Sequence, residues 1–423
     1  MAKHAQQRSI QVYAGWKDLE QPTLMGILYA TQVRGKEVFS FNYAEAWLQS
    51  KNAQSLDPDL QLYSGPQYLG EGKSNFGIFL DSSPDRWGRV LMDRREALLA
   101  RRENRKARTL FETDYLLGVF DGHRMGALRF KEDDTGDFLN DNKEMASPPW
   151  TSIRELEEAS IRLEDDDDDE TEKMKWLNML MAPGSSLGGA RPKASVLDRK
   201  GQLWIAKFPS RNDNKDIGAW EKVVHDLAKK SSLHVAEALA ESFYSKQHTF
   251  LTKRFDRNAK GERTHFASAM TLLGQTDGTN YKHGVSYLDL AEFIIRNGAQ
   301  PNQDLEELWR RIVFYICVSN TDDHLRNHGF LLTPNGWKLS PAYDINPVET
   351  GTGLSLNISE TDNALDLDLA RDVAPYFRVS AKKAEQIING IKKAVSNWKD
   401  VATKQGISKR EQEMMAHAFR QKE

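Results

Sequence analysis

Residues 319–347 read SNTDDHLRNHGFLLTPNGWKLSPAYDINP. The first part, Ser319–Phe330, crowds two carboxylates, two histidines, an arginine and two side-chain amides together. Such a stretch is a surface turn, a metal site, or the catalytic loop of an enzyme that moves phosphate. Asp322 and Asn327 stand five apart as D-x-x-x-x-N, a spacing that is common by chance. Its setting is more specific. The run LEELWRRIVFYICVSN before it is apolar almost all round in its second half, the pattern of a central, buried helix. GFLLTPNGWKLSP after it is two short strands around a Pro-Asn-Gly turn, a hairpin by its turn chemistry. AYDINP then presents Asp344. Helix, loop with Asp and Asn, hairpin, second Asp is the order of parts that phosphoryl transfer needs. One Asp orients and deprotonates the attacking hydroxyl, and an Asn and another Asp hold Mg²⁺ on the phosphates. Mg²⁺ prefers a few hard oxygen ligands, which an amide and a carboxylate supply.

The upstream chain offers complementary groups. Lys207 lies on a strand pattern, LWIAKFP, from which an ammonium can reach α- and β-phosphates; the alternative is a place on the strand's solvent face. Glu221, early in the helix pattern GAWEKVVHDLAKKSSL, is either the ion-pair partner of that lysine or a surface residue. PGSSLGGARPKA contains Gly184, Gly188 and Gly189 with Ser185 and Ser186, and exposed backbone N–H groups there suit phosphate. This segment matches neither common phosphate-loop spacing. His324 and His328 form H-x-x-x-H, a zinc spacing on a helix. Asn327 and Gly329 argue against a helix, and Leu325 stands where a metalloprotease wants glutamate. His324 is therefore expected to hold the loop by hydrogen bonds.

Composition bounds the rest. The chain has 423 residues, 39% hydrophobic and 28% charged, with 58 Lys and Arg against 61 Asp and Glu. It is long enough for two or three globular domains, and no overall charge bias points to a polyanion. Its single cysteine, Cys317, sits in the apolar run IVFYICV and reads as a small buried hydrophobe. Without an internal disulfide the chain suits a reducing cytoplasm. No eighteen apolar residues run together and the first residues hold no long apolar stretch, so neither secretion nor membrane spanning is expected.

Along the chain, residues 1–130 open with strand patterns (RSIQVYAGW, TLMGILYA, VRGKEVFSFNY) and continue into a helical pattern, PDRWGRVLMDRREALLARREN. Nine of the 23 residues 86–108 are Lys or Arg, either a solvated helix face or a surface for an acidic partner or nucleic acid. Residues 131–170, polar and ending in the run Asp165–Asp169, read as an acidic linker or loop rather than a metal site. Residues 171–260 alternate strands, turns and a helix, and 261–423 turn mainly helical. Ser286 is placed to cap a helix ended by Gly298, and Ser408–Glu411 forms a capping box. A β-rich small part thus precedes a helix-rich large one.

NTDDHLRNHGFLLTPNGWKLSPAYDINP, with GARPKA, AKFPS and KRFDR, resembles the HipA family of serine/threonine kinases, the toxin halves of bacterial toxin–antitoxin systems. LMGILYA and SSPDRWGRVLMDRRE are similar to the family's N-terminal subdomain. The resemblance implies an α+β fold: a protein-kinase-like two-lobed core, β-rich small lobe and helical large lobe, with a small N-terminal α/β subdomain. It implies Asp322 as catalytic base, and Asn327 and Asp344 as Mg²⁺ ligands. Contacts to ATP would come from Lys207, Gly188, Gly189, Ala190, Lys253, Phe255, His324 and Asn327. Ser186, or Ser185 before it, matches the family's autophosphorylated serine. The resemblance further implies a protein substrate among translation components such as aminoacyl-tRNA synthetases. It also implies a DNA-binding helix-turn-helix antitoxin of HipB type, and DNA contact through that complex. Rival readings are a small-molecule kinase, whose Asp-x-x-x-x-Asn loop is alike, and a catalytically silent kinase fold serving as co-repressor or binding module.

Overall fold

The computed structural model describes residues 7–143, 146–164, 170–181, 189 and 191–420. They form two compact units, Met1–Ala206 with Asp256–Ala267, and Lys207–Phe255 with Ser268–Glu423.

The first unit is built on a five-stranded antiparallel sheet, ordered β4-β3-β2-β1-β5. Its strands are β1 (Gln7–Ala14), β2 (Thr23–Val33), β3 (Lys36–Tyr43), β4 (Pro66–Tyr68) and β5 (Leu128–Lys131). Alternation in β1 sends Ile10, Val12 and Ala14 into the core, the two-residue period of a half-buried strand. The β1–β2 register slips between Val12 and Tyr13, opposite Gly26. A Cβ on Gly26 would stand 2.2 Å from the Asn42 carbonyl oxygen, so only glycine fits. Gly26→Ala is expected to cost about 1–3 kcal/mol as an overpacked site, read as a lower denaturant midpoint.

Helices α1 (Glu45–Leu48), α2 (Gly77–Asp81), α3 (Arg86–Arg102) and α4 (Glu112–Gly118) accompany this sheet. Asp85 caps α3 by accepting the Gly88 N–H at 2.8 Å. Part of the basic charge of the stretch 86–108 is paired with carboxylates within the chain. Arg89 makes a bidentate pair with Glu112, and Arg105 and Arg108 both approach Glu96. Arg94 donates to the Leu163 carbonyl.

The expectation of a linker over 131–170 is corrected in part. Residues 153–164 form α5 (Ile153–Glu164), with Ile153, Leu156, Ala159 and Leu163 buried. These residues recur on one helical face, a pattern that the surrounding charges mask in the sequence. Helix α6 (Glu170–Met181) packs on α5 and α3; the run Asp165–Asp169 lies outside the described residues. Strands β6 (Lys193–Leu197) and β7 (Leu203–Lys207) are hydrogen-bonded neighbours. Lys193 Nζ meets Asp85 Oδ2 at 2.7 Å, with both side chains only 1% exposed.

In the second unit, α7 (Ile217–Lys230) is followed by the antiparallel pair β8 (Ala238–Glu241) and β9 (Thr249–Lys253). After β10 (Phe266–Ser268) come α8 (Ala269–Leu272) and α9 (Tyr287–Asn297), whose cap Ser286 accepts from Leu288 N. Gly298 ends α9 at φ −77°, without a left-handed turn. Helix α10 (Pro301–Val318) is buried throughout Arg311–Val318, as its apolar half requires. Strands β11 (Gly329–Thr333) and β12 (Gly336–Leu339) form the hairpin, with Thr333 facing Gly336 across the turn. Helices α11 (Leu367–Val373), α12 (Ala381–Val395), α13 (Trp398–Lys404) and α14 (Lys409–Met415) complete the unit. The capping box expected at Ser408–Glu411 is half made. Ser408 Oγ accepts the Glu411 N–H, but the Glu411 carboxylate bonds to α7 instead. Among the described residues no helix is long and apolar enough to cross a membrane.

Candidate active site

The chain leaves α10 through Ser319, whose left-handed φ of 49° turns it sharply into the loop. Asn327 ties that loop: its N–H donates to the His324 carbonyl at 2.8 Å, and its Nδ2 to the Asp322 carbonyl at 2.7 Å. Nδ2 must be the donor to a carbonyl, so the amide's orientation is chemically determined. Asn327 Oδ1 is thereby left buried without a hydrogen-bond partner among the described residues.

The adjacent aspartates differ. Asp323 is fully buried, accepting from the Tyr287 hydroxyl and from Ser355 N at 2.6 Å. Burial pushes its pKa up to about 7. Asp322 keeps an exposed side chain. Partial desolvation and the Asp344 carboxylate raise its pKa above the ordinary range, opposed by His324 and Lys207.

The histidines separate too. His328 is buried against Tyr287 and Tyr315, its Nε2 3.2 Å from the Asp323 carbonyl, and burial drops its pKa to about 3. His324 holds the loop by a hydrogen bond, as expected, and does so through its backbone carbonyl; its buried Nδ1 has no hydrogen-bond partner among the described residues.

Asp344, also at a left-handed φ of 56°, stands beyond the hairpin. Its Oδ1 lies 2.7 Å from Lys207 Nζ, and Glu221 Oε1 lies 2.6 Å from the same nitrogen. Burial by itself would lower the Lys207 pKa, but the Asp344 and Glu221 carboxylates overcome it and hold the ammonium charged. Asn346, not singled out in the sequence, donates from Nδ2 to Asp344 Oδ1 at 3.2 Å. Glu221 and Asp344 thus both contact this one ammonium, and its charge also acts on Asp322. The unpartnered Asn327 Oδ1 and the Asp344 carboxylate are hard oxygens, and so fit Mg²⁺.

Phe255 packs on Tyr343, ring centroids 5.6 Å apart, and the Tyr343 hydroxyl donates to the Arg326 carbonyl at 2.7 Å. Lys253 N donates to the Glu237 carbonyl at 2.9 Å, and its ammonium is 3.8 Å from the Glu237 carboxylate. Gly189 adopts φ +92°, and its carbonyl accepts from Lys193 Nζ at 3.3 Å. Gly184, Ser185, Ser186, Gly188 and Ala190 lie outside the described residues. Arg420, which no local motif marks, reaches from Nε to Ser319 Oγ at 3.0 Å and from a terminal nitrogen to the Gly351 carbonyl at 2.9 Å.

Asp323 carries a prediction about pH. Its folded pKa of about 7 lies above the ordinary 3.8, so the fold favours the neutral acid. The stability it contributes is complete below the ordinary value and is lost as pH rises through about 7. Asp323→Asn mimics the neutral acid. Relative to this variant, the wild type is expected to lose stability steadily between about pH 4 and 7 in denaturant titrations.

Residues 185–398 match the family model described as the HipA-like C-terminal domain. The serine/threonine-protein kinase toxin HipA of Shewanella oneidensis is 26% identical over 272 residues, 56% of this chain and 60% of that protein. A Haemophilus influenzae protein is 27% identical over 179 residues, 38% of this chain and 52% of its own length. The matched stretches span from 33% to 60% of the length of the curated relatives. Among solved structures, a Shewanella oneidensis complex of HipA, HipB and operator DNA superposes with a TM-score of 0.64 at 20% identity. That match covers 97% of this chain and 95% of the other. The mixed α and β fold is therefore that of HipA.

Proposed function

The chain belongs to the HipA family, and from that premise we propose that it is an ATP- and Mg²⁺-dependent serine/threonine protein kinase. The observation that carries the reading is Lys207 Nζ held at 2.6 Å from Glu221 and 2.7 Å from Asp344. By resemblance to the family, Lys207 would contact the α- and β-phosphates of ATP, Lys253 and Phe255 the base, and Gly188, Gly189 and Ala190 the phosphates. His324 adds a further contact. Asn327 and Asp344 would hold Mg²⁺, which when bound neutralises charge developing on the transferred phosphoryl group. Asp322 orients the acceptor hydroxyl and takes its proton, a role favoured by a carboxyl whose pKa desolvation and the Asp344 carboxylate raise above the ordinary value.

The acceptor is a protein, a translation component such as an aminoacyl-tRNA synthetase, and in the chain itself Ser186 or Ser185. A HipB-like helix-turn-helix antitoxin restrains the activity and brings the complex to DNA, in the cytoplasm. The support is family membership and the HipA–HipB–operator complex of the structural relative. Incubation of wild-type chain with ATP and Mg²⁺ is expected to add phosphate at Ser186 or Ser185 by mass spectrometry. Undiminished labelling of Asp322→Asn overturns the assignment.

A further inference from the structure

The Lys207–Glu221 pair requires that α7 be held in place, and the anchoring groups come from the far end of the chain. Glu411, on α14, accepts two hydrogen bonds on one carboxylate oxygen: from Asp216 N at 2.9 Å and from Trp220 Nε1 at 2.8 Å. Asp216 is the N-cap of α7, and Trp220 immediately precedes Glu221. Trp220 is 1% exposed and packs on Trp398 and Phe419, whose rings stack at 4.4 Å and 9°. On the other side of this turn, a Cβ on Gly218 would lie 2.0 Å from the His248 carbonyl, so the helix has little room to shift toward β9. A carboxylate at the first turn also faces the positive end of the helix dipole. Glu411 therefore fixes both the entry and the rotation of the turn that carries Glu221.

We infer that Glu411 is a positioning residue for phosphoryl transfer, acting through α7 and Glu221 on Lys207; the inference rests on the kinase reading above. Glu411→Ala in the full chain is expected to lower kcat/KM for ATP by about tenfold, since small misplacements of a phosphate-binding group are costly. Glu411→Gln is expected to recover most of that loss, because its amide oxygen accepts the same two bonds. Glu411→Ala combined with Glu221→Gln is expected to be no worse than Glu221→Gln alone, as for residues acting in one unit. Two results overturn the inference. One is a loss in Glu411→Ala that only tracks the folded fraction with KM for ATP unchanged; the other is losses that multiply in the double variant. Wild-type chain without phosphoryl transfer would instead overturn the kinase reading. The tether is then tested by hydrogen exchange over residues 216–221, which is expected to quicken in Glu411→Ala; unchanged protection refutes it.

Discussion

Asp322→Asn is expected to lower phosphoryl transfer by about 10²–10⁴-fold, the usual contribution of a positioned general base. ATP affinity is expected to change little, because the Lys207 anchor and the Asn327 and Asp344 oxygens remain. The substitution is also expected to leave the protein at least as stable as the wild type. Desolvation and the Asp344 carboxylate both raise the Asp322 pKa, the sign of a charged form held at a cost. An amide of the same shape relieves that repulsion, and Asn327 bonds the backbone carbonyl of residue 322 rather than its side chain. Activity lost together with a raised or unchanged thermal midpoint is the pattern of a functional residue. A lowered midpoint would mean that Asp322 supports the loop structurally. Rates with ATP and an accepting protein, and thermal denaturation on the same samples, read both quantities.

Lys193→Met is expected to destabilise the first unit by about 3–5 kcal/mol, because it takes the ammonium away from a buried carboxylate. The Lys193 and Asp85 side chains are each 1% exposed and meet at 2.7 Å. Asp85 has a second duty as the α3 cap, bonding Gly88 N at 2.8 Å. The double variant Asp85→Asn with Lys193→Met is therefore expected to regain most of the loss. Asparagine keeps the cap, methionine fills the volume of the lysine stem, and no charge is left buried. Denaturant midpoints of the two singles and the double form the cycle. A cost for Lys193→Met below about 1 kcal/mol would mean that the pair is solvated, as exposed ion pairs are.

Local patterns of sequence disclosed much of the architecture. The continuous burial of α10 over Arg311–Val318 follows from an apolar run too long for one face. The β11–β12 hairpin follows from Pro-Asn-Gly, and the Ser286 cap from its place before a helical period. The fold class was legible by resemblance, since several motifs occur in the HipA order. Helix α5 was obscured because its charged residues resemble a solvated loop until Leu156 and Leu163 meet a core. In the site, Asp322, Asn327, Asp344, Lys207 and Glu221 were named from type and spacing, whereas Asn346 carried no signal apart from Asp344. The capping box at Ser408 shows the limit clearly: the local rule supplied the serine's bond but not the glutamate's.

By itself the sequence determined the identities of the ionisable groups, their order along the chain and the elements that carry them. Those follow from propensity, period and turn chemistry, which act over a few residues. Only the tertiary structure decided which partners each charge receives. Lys193 finds Asp85 across 108 residues, Lys207 finds Asp344 across 137, and Glu411 finds the α7 cap across 195. Two neighbouring aspartates likewise became a buried acid near pKa 7 and a carboxylate that keeps contact with solvent, because packing around Tyr287 buries one of them fully and the other only in part. Desolvation and Coulomb energies depend on distance in space, and no local spacing encodes that distance.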